Sequence, residues 1–389
     1  MKFIDEVAIS NKRVLLRVDF NVSLNPDYTI ADDARIKQSI PTILYLLERN
    51  NTVIIVSHLD RPKKRDSRLS LVRVARDLHT YLPGKKVVLI DDFTKDTSLL
   101  EKKSGQEVYL LENIRFYPEE EKNDSEFVKK LAVLADVYVN DAFGVSHRAN
   151  ASIVAITKEL PSYGGLLMKR EIEMISKVVN KPKKPVVAIV GGAKISTKIE
   201  VLSKLIEIAD YLILGGGLAN TFLCAQGIPI GKSYCEITEV EQAKKVLFMA
   251  AQKNTMLVLP QDAIVGNPAD VSQGGHVTKV ENTPHNGQIL DIGPETQAQF
   301  GTIIAKAKTL IWNGPVGYIE NPMYRRGTDF IYYSIAQNHD CVSVVGGGDT
   351  LAAISKKEYL NTISHISTGG GAMLEFIEKG TLPGIEALG

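Results

Sequence analysis

With 389 residues the chain is long for one compact core, which predicts two domains. Its 46 lysines and arginines nearly cancel its 45 aspartates and glutamates, so no global basic field favours nucleic acid, and an anion site must come from local clusters. Apolar residues make up 44%, as in an ordinary globular protein, and no run approaches the ~18–20 apolar residues of a membrane span.

Short β-branched apolar runs alternate with amphipathic stretches along the first half. Val14–Val18, Val53–Ser57, Val87–Ile90, Val108–Leu111 and Val137–Asn140 read as buried strands, and Arg35–Arg49, Leu69–Leu82 and Glu126–Leu134 as helices. A helix is predicted at Leu166–Val179, followed by the basic, proline-containing stretch Asn180–Pro185, which reads as a linker. Strands then resume at Val186–Val190, Tyr211–Leu214, Met256–Leu259, Thr309–Trp312, Val342–Val345 and Ile366–Ser367. The alternation predicts an α/β fold of two Rossmann-like, three-layer α/β/α domains with mainly parallel sheets, joined by a hinge helix.

In open parallel sheets, ligands sit outside the carboxyl ends of the strands. In the first half the unusual polar residues fall there: Asp19 and Asn21, His58 and Arg61, Arg115, then Asp141, His147 and Arg148, with Arg35 opening the first helix. Guanidinium groups gathered after successive strands predict a site for a small, multiply charged anion. The second half ends its strands in glycine instead. Gly191-Gly192-Ala193-Lys194 is followed by Lys198, and later clusters are Gly215–Gly217, Asn313-Gly314-Pro315, Gly346-Gly347-Gly348-Asp349-Thr350 and Thr368–Gly371. Glycine lets backbone N–H groups approach phosphate closely, so this repetition reads as a nucleotide crevice.

Two commoner glycine-loop explanations fail. Gly227–Ser233 is one residue short of the phosphate-loop pattern and follows a helix-like segment, Leu218–Gln226, where a strand is required. Gly215–Gly217 and Gly346–Gly348 put Asn220 and Leu351 where the dinucleotide fingerprint needs its third small residue. Cys224, Cys235 and Cys341 form no CxxC pair and no metal-ligand pattern, and read as reduced thiols. The start of the chain lacks the apolar core of a secretory signal, so the expected compartment is the cytoplasm.

Taken together, the segments Arg17–Val22, Ser57–Pro62, Leu111–Phe116, Asp141–Arg148, Gly191–Lys194, Trp312–Gly317, Gly346–Thr350 and His365–Gly371 resemble the phosphoglycerate kinase family from end to end. The resemblance implies an acid-substrate domain at 1–167 completed by a returning tail at 371–389, a connecting helix and linker at 168–182, and a nucleotide domain at 183–370. It implies a reversible, Mg²⁺-dependent phosphoryl transfer from 1,3-bisphosphoglycerate to ADP, giving 3-phosphoglycerate and ATP, by a cytoplasmic monomer that needs neither nucleic acid nor membrane. Asp19, Asn21, Arg35, His58, Arg61, Arg115 and Arg148 match the family's acid-substrate residues. Lys198, Asn313, Glu320, Gly346, Gly347, Gly348, Asp349 and Thr350 match its nucleotide residues, with Asp349 as the Mg²⁺ ligand. Arg35, Lys194 and Lys198 are the expected catalytic charges, because phosphoryl transfer asks the protein for positioning and charge stabilisation.

Two positions depart from the family pattern. Ser23 stands where proline is usual, and Asp60 where glycine is usual in Ser-His-Leu-Gly-Arg-Pro. Extended backbone would turn the Asp60 carboxylate away from His58 and Arg61. A nicotinamide-dependent dehydrogenase and a non-catalytic anion-binding protein are the competing readings. The first meets the failed fingerprints, and the second leaves the glycine–lysine crevice unexplained.

Overall fold

The computed structural model describes residues 1–98, 107–270, 274–354 and 358–389, without the side chain of Asp349. The chain forms two units, Met1–Glu173 with Thr381–Gly389, and Met174–Gly380.

In the first unit, strands β1 (Arg13–Arg17), β4 (Thr52–Val56), β5 (Lys86–Ile90), β6 (Glu107–Leu111), β7 (Val137–Asn140) and β8 (Ser162–Gly164) form one parallel sheet in the order β5-β6-β4-β1-β7-β8. Between β1 and β4 lie a short hairpin, β2 (Ser23–Leu24) with β3 (Ile30–Asp32), and helix α1 (Ala34–Leu47). Helix α2 (Val72–Tyr81) follows β4, and α3 (Pro118–Glu121) and α4 (Ser125–Ala132) follow β6. Alternate residues of each strand enter opposite cores. Val14, Leu16, Val53 and Ile55 meet Ile36, Ile43, Val74 and Leu78 from α1 and α2. Leu15, Ile54, Tyr109 and Tyr138 meet Phe127, Leu131 and the chain-terminal Leu388 on the other side. That two-sided burial is why these strands are continuous apolar runs. The central strand β1 pairs with β4 on one edge and β7 on the other, so their carboxyl ends converge.

Helix α5 (Leu166–Asn180) begins in this unit, and the division falls within it. Its start is held by a buried side chain: Asp141 Oδ1, just past β7, accepts the N–H groups of Leu167 at 2.9 Å and Met168 at 3.1 Å. Burial pushes the Asp141 carboxyl up to about 6, against these hydrogen bonds and with Glu171 adding to the rise.

The second unit carries β9 (Val186–Val190), α6 (Ile199–Ile208), β10 (Tyr211–Leu214), α7 (Gly216–Ala225), α8 (Val240–Gln252) and β11 (Met256–Val258). An insertion not foreseen in the sequence follows: an antiparallel sheet of β12 (Asp262–Gly266), β13 (His276–Lys279) and β14 (Gln288–Ile292). The α/β alternation then resumes with α9 (Pro294–Lys306), β15 (Thr309–Asn313), α10 (Arg326–Gln337), β16 (Val342–Gly346), α11 (Gly348–Ala353), β17 (His365–Ser367) and α12 (Gly370–Lys379). The main sheet is parallel, in the order β11-β10-β9-β15-β16-β17, and Trp312 is wholly buried beneath α9 and α10 with Phe300, Ile304, Ile331 and Ile335. Helix α12 packs on α6 within this unit. The last segment, with α13 (Pro383–Glu386), belongs to the first unit, where the Gly384 N–H donates to the Ser146 carbonyl at 2.8 Å.

Candidate active site

At the carboxyl edge of the first sheet lies a cavity of ≈ 130 Å³ lined by Asp19, Asn21, Arg35, His58, Asp60, Arg61, Arg115, Arg148 and by Gly144, Val145 and His147. All seven acid-substrate residues expected from the sequence are therefore brought together. The buried Asp19 carboxylate pairs with Arg35 on the first turn of α1 and takes the Asn21 N–H at 3.2 Å. Burial alone would raise its proton affinity. Arg35, followed by His58, Arg17 and the Asn21 N–H, overcomes this and brings the carboxyl down to about 2. His58 is only 2% exposed, and desolvation, with Arg17, Arg115 and Arg35 opposing a further charge, pushes it well below its ordinary value despite Asp19. Arg115 is lowered to about 10 by burial and by Arg17, Arg148 and Arg61. Arg148 moves the same way through burial and Arg61. These guanidinium groups repel one another across a small space, and an anion with several oxygens relieves the repulsion.

Asp60 does not follow the extended geometry expected of it. Its φ is +55°, a left-handed conformation that asparagine and aspartate tolerate better than bulkier residues. The Asp60 N–H donates to Asn21 Oδ1 at 2.7 Å, its carbonyl accepts from Arg115 at 2.6 Å, and its carboxylate turns onto the Arg61 N–H at 2.8 Å. The residue thus lines the cavity while part of its charge is engaged by the backbone. Ser23 lies at the start of the β2–β3 hairpin and is exposed.

Sequence reasoning passed over Arg17. It is buried on β1, and its guanidinium reaches Ser152 Oγ at 2.8 Å, the Val18 carbonyl and His58 Nδ1 at 3.4 Å. An arginine inside an apolar strand was the available signal, since a buried guanidinium must find partners.

In the second unit the strand order reverses between β9 and β15, and the loops leaving them touch. Gly191 has no room for a side chain, because a Cβ there would lie 2.1 Å from the Pro315 carbonyl oxygen. Its tight packing accounts for one glycine of the crevice without a ligand. Lys198 Nζ donates to the Gly191 carbonyl at 2.6 Å and to Asn313 Oδ1 at 3.0 Å, and Asn313 Nδ2 donates to the Gly346 carbonyl at 3.0 Å. Asn313 therefore links three strand ends and is 7% exposed. Thr350 is fully buried, with its hydroxyl donating to Gly346 O and accepting the Gly314 N–H, both at 2.8 Å. Gly347 takes φ +104°, and Gly348, opening α11, faces open space. Lys194 is exposed on the loop between β9 and α6. The side chain of Asp349 lies outside the described residues' atoms.

Beside this junction is a cleft of ≈ 500 Å³ lined by Gly192, Ala193, Gly216 and Gly217, by Gln288–Ile292 of β14, and by Pro315–Glu320. Glu320 stands at the cleft. The β14 wall was missed because a short antiparallel strand whose last three residues are all buried leaves no alternation to read. Its Asp291 is buried, accepts the Gly327 N–H at 2.8 Å, and is pushed up to about 7, chiefly by desolvation. Glu236, also missed, binds the Lys194–Lys198 loop through Ile195 and Ser196.

A family model described as phosphoglycerate kinase matches residues 4–380. The chain belongs to the phosphoglycerate kinase family. It is 44% identical over 390 residues to the phosphoglycerate kinase of Pelotomaculum thermopropionicum, covering 100% of this chain and 98% of that protein. With the Moorella thermoacetica phosphoglycerate kinase it shares 45% over 387 residues, 98% of each chain. A solved phosphoglycerate kinase from Coxiella burnetii aligns with TM-score 0.86 at 40% identity, over 99% of this chain and 98% of that one. One from Pyrococcus horikoshii OT3 aligns with TM-score 0.83 at 32% identity, over 100% and 98%. The family assignment fits the parallel α/β sheets foreseen in the sequence, and it is a family of kinases. Among the described residues no helix is long and apolar enough to cross a membrane.

Proposed function

We propose that the chain carries out reversible phosphoryl transfer from 1,3-bisphosphoglycerate to ADP, giving 3-phosphoglycerate and ATP, as a glycolytic enzyme acting as a monomer in the cytoplasm. The observation that carries this reading is the small cavity in which Arg35, Arg61, Arg115 and Arg148 surround a buried Asp19. A small acid with phosphate oxygens matches its size and charge.

In this reading the first unit is the acid-substrate domain. Asp19 and Asn21 hold the hydroxyl and carboxyl end, and His58, Arg61, Arg115 and Arg148 hold phosphate. The second unit takes the nucleotide, with base and ribose in the ≈ 500 Å³ cleft near Glu320 and phosphates at the Gly346–Thr350 loop, Lys194, Lys198 and Asn313. A β-phosphate oxygen of ADP attacks phosphorus, the bond from phosphorus to the acyl oxygen breaks, and the carboxylate leaves, with no protein nucleophile. Arg35, Lys194 and Lys198 neutralise the oxygens in flight. To do so Lys198 exchanges part of its hold on Gly191 and Asn313 for phosphate. The cycle requires closure that excludes water around the transferring group.

Mg²⁺ fits this donor set. Among the described residues no cluster of three or more metal-ligating side chains occurs, but Mg²⁺ carried on nucleotide phosphates needs only one or two carboxylates. Asp349, in the first turn of α11 beside the open Gly348, would be the residue to hold it. When bound, the ion neutralises phosphate charge. The test is coupled detection of ATP from 1,3-bisphosphoglycerate and ADP, with and without Mg²⁺. Folded protein without turnover defeats the reading, and an unaltered Mg²⁺ titration in Asp349→Ala defeats the ligand assignment.

A further inference from the structure

His58 has two ring nitrogens, and the reading of the cavity turns on which one bears the proton. Three charged residues stand near the ring besides its own neighbours: Arg17 on β1, Asp19 just past it, and Arg35 on α1, with Arg115 after β6 acting from further off. Arg17 Nη2 lies 3.4 Å from His58 Nδ1, and Asp19 Oδ1 lies 3.7 Å from the same nitrogen. A guanidinium has donors and no acceptor. An N–H on Nδ1 would therefore point one donor at another. Asp19 could reward such an N–H, but it is farther away, and its two oxygens already receive the Asn21 N–H and Arg35.

Arg17 is itself anchored. Its Nε donates to Ser152 Oγ at 2.8 Å, and that hydroxyl donates to the fully buried Glu120 carboxylate at 2.7 Å. Glu120 also accepts the Ser152 N–H at 2.9 Å. Arg17 is not among the residues lining the cavity, and the lining side chain that its guanidinium meets at hydrogen-bonding distance is His58. Glu120, Ser152, Arg17 and His58 form one buried chain of donors and acceptors that ends at the cavity wall.

We propose that Arg17 is a positioning residue that fixes His58 as the neutral tautomer protonated on Nε2, leaving the Nε2–H to donate to the acid substrate. His58 then binds as a directed donor and takes no part in proton transfer. This inference rests on the acid-substrate reading of the cavity, while the tautomer itself can be observed in the free protein.

The experiment is ¹⁵N–¹H long-range NMR of the intact, histidine-labelled protein, with the His58 signals identified by their loss in His58→Gln. The expected spectrum has an unprotonated Nδ1 and a protonated Nε2 throughout about pH 5.5 to 8, a range in which an ordinary histidine titrates. Arg17→Met keeps most of the buried bulk but removes the donors. It should mix the tautomers, restore titration in that range and raise KM for the acid substrate roughly tenfold, with the nucleotide KM unchanged. Arg17→Lys, which keeps a charged donor, should recover much of the Nε2–H form. Should Arg17→Met fail to fold, Ser152→Ala loosens the same guanidinium and should shift the spectrum in the same sense. A proton on Nδ1, a cationic ring at neutral pH, or an unchanged spectrum in either variant overturns the proposal. An active enzyme with an Nδ1–H ring would overturn the tautomer assignment alone, whereas absent phosphoryl transfer with an Nε2–H ring would defeat the functional reading and leave the Arg17 lock standing.

Discussion

Glu236 holds Ser196 twice, accepting its N–H at 3.1 Å and its hydroxyl at 2.6 Å, and it takes the Ile195 N–H as well. These residues sit between Lys194 and Lys198. Glu236 is placed in turn by the Thr221 hydroxyl of α7, which accepts the Glu236 N–H at 3.2 Å. A residue some forty positions away thus shapes the loop that carries both proposed phosphate-binding lysines. Burial opposes the Glu236 charge, but the bonds from Ser196 and Ile195, with Lys194 nearby, hold its carboxyl below the ordinary range. Glu236→Ala is expected to raise the nucleotide KM and lower kcat by roughly tenfold each, since a 1 Å misplacement is costly in transfer reactions. Glu236→Gln, which keeps an acceptor, should fall between. Steady-state kinetics on both variants decide it, and unchanged constants in the alanine variant would remove Glu236 from the loop's support.

Arg35 is the proposed transition-state charge that also neutralises Asp19. Arg35→Ala should cut kcat by about 10²-fold or more while nucleotide KM moves little, because the lost interaction strengthens only in flight. Near-normal kcat in a folded Arg35→Ala protein removes it from that role.

The left-handed backbone at Asp60 gives a stability test. Asp60→Val places a β-branched residue at φ +55° and should cost about 1–3 kcal/mol, seen as a lower Tm. Asp60→Gly relieves the strain, removes a negative charge from the cavity wall and should lower KM for the acid substrate while leaving Tm near wild type. A valine variant as stable as wild type would contradict the backbone assignment.

Asp19 makes stability depend on acid. Its carboxyl titrates at about 2 in the folded protein against 3.8 ordinarily, so the stabilisation is present above about pH 4 and is lost as pH falls through 2. The shift corresponds to about 2 kcal/mol. Urea unfolding of wild type and Asp19→Asn should differ by roughly that amount at pH 6, and the difference should shrink towards pH 2. A gap independent of pH would mean that the carboxylate's charge contributes nothing.

Much of the arginine-lined cavity was legible because parallel sheets gather their strand ends. Once Val14–Val18, Val53–Ser57 and Val137–Asn140 read as parallel strands of an α/β fold, Asp19, His58 and Arg148 had to fall at carboxyl ends on one edge. The glycine-lined cleft of the second unit was legible only in part. Gly348 opens onto space, but Gly191 is glycine because Pro315 crosses it, and sequence cannot separate a ligand contact from a backbone crossing. The β14 wall was hidden because Gln288–Ile292 gains its strand conformation from pairing with β12, a contact across some twenty residues.

The sequence by itself determined the family, the parallel α/β plan and the residue types of both candidate sites, because these follow from local periodicity and from motifs that stay contiguous. Tertiary structure alone decided how the charges are shared. It set Arg17 beneath His58, turned Asp60 onto the Arg61 N–H, and tied Glu236 to Ser196. Each of these depends on which side chain reaches which backbone group across a fold, where burial raises the cost of a wrong partner and so leaves one arrangement standing.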